Sequence, residues 1–231
     1  MATFAEKVIS FHKNLSFDAP LGDNIQVMNP FADNDAVLDI LEQFYTKFFS
    51  DQQSRKILLG INPGRLGAGA TGIPFTDTKR LAEDCGIETT AIQTHEPSSV
   101  FVYDMINAYG GSEKFYSQFY INSVCPLGFI EKNKKGNWVN CNYYDYPALF
   151  EDTKEFMVAT LREQIAFGID TSVCYILGKK NAKFFKKIND EAKLFESFVV
   201  FDHPRYIVQY KLKQKETYID TYVRELNTIV G

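Results

Sequence analysis

The glycine-rich stretch that begins at Asn62 and ends at Phe75 reads NPGRLGAGATGIPF, and an apolar run at residues 56–61 directly precedes it. A short aliphatic run that stops at Asn, Pro and Gly is typical of a buried strand. The glycine-rich stretch therefore starts where a strand ends. Because ligands of α/β proteins bind outside the carboxyl ends of the strands, this stretch is the first candidate for a ligand site.

The strands and helices predicted around this stretch indicate an α/β fold. Further apolar, β-branched runs predict strands at residues 25–28, 119–124, 172–177 and 198–201. Segments with helical periodicity cover residues 2–15, 36–49, 77–84, 100–108, 147–167, 179–188 and 214–229. This alternation predicts a three-layer α/β/α fold around a central, mostly parallel sheet of about four to five strands. Because no repeat, low-complexity tract or linker interrupts the chain, we expect residues 1–231 to form a single domain.

Polar residues stand at the ends of three of the predicted strands. Asn62 follows the second strand, the pair Asn122 and Ser123 lies near the end of the third, and His203 follows the last. The carboxyl ends of parallel strands share one edge of the sheet, so we expect these side chains to converge there.

The composition indicates a globular protein without a metal site. The chain has 231 residues and a formal net charge of −4. Its four cysteines are scattered, without a Cys-x-x-Cys pair, and it has only three histidines. These features argue against zinc, an iron–sulfur cluster and a disulfide framework, and we expect no metal and no cofactor.

Hydropathy and charge narrow the choice of partners. No apolar run is long enough to cross a membrane, and the N-terminal residues lack the build of a signal peptide, so we expect a cytoplasmic protein that does not bind membranes. The negative net charge does not favour nucleic acid, but a basic run follows in the last third of the chain. It comprises Lys179, Lys180, Lys183, Lys186, Lys187, Lys193, Arg205, Lys211, Lys213 and Lys215. Phosphate binding and solvated helix faces explain this run about equally well.

The glycines also match two nucleotide-binding patterns, both incompletely. Gly67-x-Gly69-x-x-Gly72 has the spacing of a dinucleotide-binding loop, but Pro74 interrupts the position where the following helix should run. Residues 64–71 approach a phosphate-binding loop but lack its lysine. A nucleotide-cofactor enzyme is therefore kept only as an alternative.

A flat ligand suits the same residues better. Phe75 can stack on such a ligand, while Asn62 and the backbone of the loop reach its edge. His203 on the opposite wall can donate a hydrogen bond to a departing anion. This combination describes a pocket for a flipped nucleobase.

These residues also carry a resemblance to a known family. Residues 62–75 resemble, without gaps, the first motif of the single-strand-selective monofunctional uracil-DNA glycosylases of the uracil-DNA glycosylase superfamily. Further likenesses follow in chain order at Asn29-Pro30, Cys125-Pro126-Leu127, Leu177-Gly178 and His203-Pro204. The resemblance covers roughly residues 16–227.

The resemblance implies a monofunctional glycosylase that flips uracil out of DNA and hydrolyses its glycosidic bond, in base excision repair. It assigns the positioning of the attacking water to Asn62 and a hydrogen bond to the departing base to His203. Phe75 becomes the stacking residue, and Ile61 and Gly64 contribute contacts to the base. No lysine matches a Schiff-base role, so we expect base removal without strand cleavage.

The chain departs from the family in its middle motif. Ser123 occupies the position of the asparagine that reads the base, and Asn122 stands beside it. Neighbouring residues of a strand point to opposite faces, so Asn122 can substitute only where the strand bulges or ends. A serine hydroxyl discriminates less than an amide, so we predict that hypoxanthine or xanthine is accepted besides uracil.

The last motif departs as well. The family continues His-Pro with Ser-Pro, whereas Arg205 and Tyr206 follow here and become candidate DNA-binding residues, together with Lys211. The expected partner is DNA, single-stranded or duplex, with a deaminated base, and we expect a monomer. A catalytically inactive relative that binds DNA or free bases is the second alternative.

Overall fold

The computed structural model describes residues 1–22 and 24–228. Its strands are β1 (Ile25–Met28), β2 (Arg55–Gly60), β3 (Phe119–Ser123), β4 (Gly128–Lys132), β5 (Trp138–Cys141), β6 (Ile169–Leu177) and β7 (Phe198–Phe201). Five of these coincide, within three residues at each end, with strands that the sequence predicts. The strands β4 and β5 are not predicted, because both are short and only a turn separates them.

Four strands form the central sheet, in the order β3-β2-β6-β7, and all of them are parallel. The registers place Gly60 opposite Ser123 and Leu59 opposite Ile176, so the strands end at one common edge. Every residue of β3 is buried, because helices cover both faces of the sheet. The predicted α/β fold with a parallel central sheet flanked by helices is thus confirmed.

The first predicted strand lies outside this sheet. The strand β1 pairs antiparallel with β4, and β4 pairs antiparallel with β5, so the three form a separate small sheet. Antiparallel strands can be joined by a tight turn and need no crossover helix, and residues 133–137 provide such a turn here. The segment that follows β5 runs past the carboxyl edge of the central sheet.

The helices are α1 (Phe4–Lys13), α2 (Asp35–Phe49), α3 (Ala68–Thr71), α4 (Thr78–Glu83), α5 (Pro97–Tyr109), α6 (Ser112–Gln118), α7 (Pro147–Ile165), α8 (Lys179–Ala192), α9 (Pro204–Tyr210) and α10 (Lys215–Thr228). The helix α5 begins three residues before its predicted start, because proline is well suited to the first turn of a helix. The predicted end of the last helix, at residue 229, lies outside the described residues. Among the helices of the described ranges, none is long and apolar enough to cross a bilayer.

Aromatic packing holds the amino end of the central sheet. Phe4 lies 5.5 Å from Phe49 and 5.4 Å from Tyr120, measured between ring centroids. The buried guanidinium of Arg55 lies 4.7 Å above the ring of Phe49 and donates hydrogen bonds of 2.8 Å to Asp51. With this end of β2 anchored, its other end presents the glycine-rich stretch.

Candidate active site

A cavity of about 200 Å³ opens at the carboxyl edge of the central sheet. Five segments far apart in the chain supply its walls: the glycine-rich stretch, the start of α5, the end of β3, the end of β5 with the residues that follow it, and the start of α9. Its lining residues are Ile61, Asn62, Pro63, Gly64, Ala68, Pro74, Phe75, Glu96, Ser98, Ser123, Asn140, Asn142, His203 and Arg205. The expected convergence of Asn62, Ser123 and His203 is therefore observed in the structure.

The side chain of Asn62 is held by backbone groups on both of its polar atoms. Its Oδ1 accepts a hydrogen bond of 3.1 Å from the backbone N–H of Tyr143. Its Nδ2 donates to the carbonyl oxygen of Cys141 at 3.2 Å and more weakly to that of Pro63 at 3.4 Å. Because backbone donors and acceptors cannot exchange roles, these contacts fix which way the amide points. The second lone pair of Oδ1 remains available as an acceptor.

A buried hydrogen-bond network supports Asn62 from behind. The hydroxyl of Tyr143 donates to Oδ1 of Asn181 at 2.7 Å. The Nδ2 of Asn181, on the first turn of α8, lies within hydrogen-bond distance of the carbonyl oxygens of Leu59, Gly60 and Leu177. The network thus ties the ends of β2 and β6 to the segment that orients Asn62.

His203 is the N-cap of α9, and its ring is neutral. Its Nδ1 accepts a hydrogen bond of 3.1 Å from the backbone N–H of Arg205. This contact places the ring proton on Nε2, which leaves an N–H donor on that atom. Burial, and then the nearby charge of Arg205, lower the pKa of His203 to about 4.

Phe75 forms the wall between His203 and the end of β2. Its ring centroid lies 5.8 Å from that of His203, with the ring planes tilted by 56°. The backbone of Phe75 has a φ of 54°, a left-handed conformation that residues other than glycine adopt only at an energetic cost. A Cβ at Gly60 would lie 3.2 Å from two carbon atoms of this ring, so a glycine at the end of β2 makes room for it.

The two candidate base-reading residues of β3 have different surroundings. Ser123 lines the cavity, and its Oγ lies 3.4 Å from the position of a Cβ on Gly60. Asn122 is absent from the lining and is held elsewhere: its Nδ2 donates to the hydroxyl of Tyr120 at 2.7 Å, and its Oδ1 accepts from the backbone N–H of Ser123. The strand is regular at this point, so Ser123 faces the cavity and Asn122 does not.

Ile61 and Gly64 both line the cavity, but their carbonyl oxygens already have partners in the chain. The oxygen of Ile61 accepts from the N–H of Cys125, and that of Gly64 accepts from the N–H groups of Gly67 and Gly69. Contacts from these two residues to a ligand therefore depend on their N–H groups and on the space beside them.

Asn140 and Asn142 line the cavity, although the sequence gives no sign of it. Asn140, at the end of β5, lies beside Gly64: a Cβ there would be 3.4 Å from its Nδ2. Its Oδ1 accepts from the backbone N–H of Arg65 at 3.1 Å. These residues are missed because the strand that carries Asn140 is itself not predicted.

The proposed DNA-contacting residues occupy the outer surface of α9 and its end. Arg205 is exposed and lines the cavity, Tyr206 is 41% exposed, and Lys211 follows the helix. Lys211 forms no ion pair with any residue of the described ranges. Lys215, in contrast, is paired with Asp104 at 2.7 Å.

Glu96 is a further cavity residue that the sequence does not indicate. It precedes α5, where Pro97 takes the first helical position. Its Oε2 is enclosed and has no hydrogen-bond partner among the described residues. Burial, and then the negative charge of Asp77, raise the pKa of Glu96 to about 7, although Arg205 opposes the shift.

The glycine-rich stretch does not have the geometry of a pyrophosphate-binding loop. The only helix it opens is the four-residue α3. A Cβ at Gly67 would lie 1.7 Å from Oε2 of Glu96, so the loop backs directly onto an acidic side chain. Within residues 1–22 and 24–228, no three His, Cys, Asp or Glu side chains are grouped as they would be around a metal ion.

Comparisons with known proteins agree with this geometry. The model of the uracil DNA glycosylase superfamily matches residues 46–227. The crystal structure of wild-type SMUG2 from Pedobacter heparinus is similar over 99% of both chains, with a TM-score of 0.96 and 48% sequence identity. Among curated proteins, no significant match is found.

Proposed function

This chain belongs to the uracil DNA glycosylase superfamily, as a DNA glycosylase that hydrolyses N-glycosidic bonds, and we propose that it excises uracil and also hypoxanthine or xanthine from DNA. The observation that carries the proposal is the arrangement of Asn62 and neutral His203 around one cavity, with the ring of Phe75 beside His203. A flipped base fits this site because its face can lie on Phe75 while its edge meets polar groups.

Asn62 and His203 act on opposite sides of the breaking bond. The free lone pair of Asn62 Oδ1 accepts a hydrogen bond from water and holds the water oxygen towards C1′ of the deoxyribose. As that oxygen bonds to C1′, the glycosidic bond breaks and its electron pair leaves with the base. One hydrogen of the water stays on the new hydroxyl group at C1′, and the other leaves as a proton that neutralises the departed base. An amide is a poor base, so the rate depends chiefly on how well the departing anion is stabilised.

The neutral form of His203 suits this role. Its Nε2–H donates to a carbonyl oxygen of the base, where negative charge accumulates as the bond breaks. Because the pKa of His203 is about 4, the ring keeps this single donor across the physiological pH range. Uracil, hypoxanthine and xanthine all carry such a carbonyl oxygen.

Relaxed base choice is supported by the small residues on the walls of the cavity. Ser123 offers a hydroxyl where the family has an amide, and Gly64 leaves the cavity floor without a side chain. A hydroxyl both donates and accepts, so it adapts to bases with different edges. We propose a monomer that acts in base excision repair, with Arg205, Tyr206 and Lys211 contacting the DNA strand.

Oligonucleotides that carry one uracil, hypoxanthine or xanthine test the proposal. After incubation and alkali treatment, strand breaks are expected for all three bases. Asn62→Ala should abolish them and His203→Ala should strongly reduce them, whereas the exposed Asn137→Ala serves as the matched control and should leave them unchanged.

Two other results would contradict the proposal. Tight binding without breaks would identify an inactive relative. Breaks that appear without alkali, with a complex trapped by borohydride, would contradict a monofunctional mechanism, because trapping needs a Schiff base.

A further inference from the structure

Glu96 is the one acidic side chain in the wall of the candidate active site, within the described part of the chain. Its carboxyl group packs against Gly67 so closely that any side chain there would overlap it. Its Oε2 has no hydrogen-bond partner, while its backbone N–H donates to Oδ2 of Asp77 at 3.0 Å. A buried polar atom without a partner is costly, and in a substrate cavity it indicates a contact that a ligand completes.

The charged and titratable groups around Glu96 come from three elements. Asp77, before α4, remains an anion: burial opposes this, but hydrogen bonds from Arg80 and Glu96 and from the Ser99 hydroxyl hold its pKa below the usual range. His95 pairs with Asp77 at 3.3 Å on the outer side. From α9, Arg205 and the neutral ring of His203 face the same cavity. Ser98, on α5, lies beside the Glu96 carboxyl group and, like Arg205, acts to lower its pKa, although burial and Asp77 outweigh both.

DNA makes a charged carboxylate at this position more costly still. A base that lies against Phe75 brings its deoxyribose and the flanking phosphates close to this cavity, because they are covalently attached to it. A glutamate anion would then face phosphate oxygens as well as Asp77. A neutral carboxylic acid has no such repulsion and carries an O–H that a phosphate oxygen can accept.

We propose that Glu96 is a further substrate-contacting residue of this site: as a neutral carboxylic acid, it donates a hydrogen bond to a phosphate oxygen of the DNA strand. The inference rests on the proposed function, because it takes DNA as the ligand. Its consequence is that DNA binding takes up a proton at Glu96.

The direction in which the affinity for DNA changes with pH follows from the proton that Glu96 must hold in the complex. With a pKa of about 7 in the free protein, Glu96 is protonated below neutral pH and binding there needs no additional proton. Above pH 7 the proton must be taken from solution, so the affinity for DNA falls by up to about tenfold per pH unit. His203, with a pKa of about 4, does not titrate in this window.

The test measures the Kd of a single-stranded oligonucleotide with a tetrahydrofuran abasic-site analogue, between pH 6 and 9. This probe keeps the phosphates and carries no base at the site. The wild-type Kd should be constant up to about pH 6.5 and then rise about tenfold per unit above pH 7. Glu96→Gln is isosteric and keeps a donor, so its Kd should stay nearly constant throughout. Glu96→Ala should also be pH-independent but bind about tenfold more weakly at pH 6.

The matched control is Glu113→Gln, which makes the same acid-to-amide change at an exposed residue of α6 outside the cavity and should keep the wild-type pH profile. Equal pH profiles of wild type and Glu96→Gln would overturn the inference. So would a pH dependence seen only with a strand that carries a base, because the acceptor would then be the base.

Uracil release by the wild-type protein at pH 6.5, measured in parallel, separates the two proposals. Release combined with a flat Kd profile refutes only the role of Glu96. A Glu96-dependent profile without release refutes only the excision of uracil.

Discussion

The side-chain oxygen of Asn62 accepts a hydrogen bond of 3.1 Å from the backbone N–H of Tyr143, which lies 81 residues further along the chain. Tyr143 is in turn held by Asn181 of α8, which also bonds the carbonyl oxygens at the ends of β2 and β6. The orientation of the amide that we assign to water positioning thus depends on segments well outside its own motif.

Tyr143→Phe tests this support. The substitution leaves the buried Oδ1 of Asn181 without a donor, which should lower the free energy of unfolding by about 1–3 kcal/mol. Slight misplacement of Asn62 should lower kcat for uracil release by roughly tenfold and leave KM unchanged. Urea denaturation and steady-state kinetics measure the two effects. Tyr144→Phe is the matched control, because the Tyr144 hydroxyl has no hydrogen bond to a described residue; equal effects in both variants would refute the positioning role.

Ser123→Asn tests the origin of the proposed base choice. The amide offers a fixed donor and acceptor and occupies more of the cavity, so release of xanthine and hypoxanthine should fall about 10- to 100-fold relative to uracil. Single-turnover rates on matched oligonucleotides measure the ratio. Ser123→Ala, which removes the hydroxyl without adding an amide, should not shift the ratio towards uracil. An unchanged ratio in Ser123→Asn would show that another residue reads the base.

Lys211→Ala and Lys215→Ala form a matched pair for DNA contact, since each removes one positive charge. Lys215 is already paired with Asp104, whereas Lys211 has no such partner among the described residues. Only Lys211→Ala should therefore reduce the slope of log Kd against log salt for a single strand, by about 0.7. Binding titrations between 50 and 200 mM salt, roughly the range in which such slopes are measured, give this value. Equal slopes in the two variants would remove Lys211 from the DNA interface.

His12 should make the protein less stable in mild acid. Burial lowers the pKa of His12 to about 4, although its hydrogen bond to the carbonyl oxygen of Val8 opposes the shift. Between pH 6.5 and 4 the unfolded chain holds more protons at this residue than the folded chain, so stability is lost as the pH falls through that window. Between pH 8 and 5 the loss is about 2 kcal/mol.

His12→Asn keeps a donor for the carbonyl oxygen of Val8 and does not titrate. Between pH 8 and pH 5, its unfolding free energy should therefore fall by about 2 kcal/mol less than that of the wild type. Glu96 has a raised pKa and contributes a slope of opposite sign, so the difference between wild type and variant is the informative quantity. Urea denaturation at pH 8 and pH 5 measures it. An equal slope in wild type and His12→Asn would contradict the prediction.

Much of the fold follows from local patterns. Aliphatic runs such as that of β2 alternate with amphipathic segments, and this alternation alone predicts a parallel sheet with its ligand site at the carboxyl edge. The small antiparallel sheet is not predicted, because β4 and β5 have no clear alternation and the pairing of β4 with β1 joins residues about 100 positions apart. Asn140 and its place in the cavity are missed for the same reason.

The family, the sheet edge that carries the site, and the candidates Asn62, Phe75 and His203 all follow from the sequence, because a short motif and the ends of strands are local features. That Ser123 lines the cavity while Asn122 bonds to Tyr120 became visible only in three dimensions, because neighbouring side chains of a strand face opposite sides of the sheet. The tertiary structure also placed Glu96 beside Gly67 and the N–H of Tyr143 on Asn62. The protonation and orientation of a side chain depend on what surrounds it in space, and those neighbours are distant in the chain.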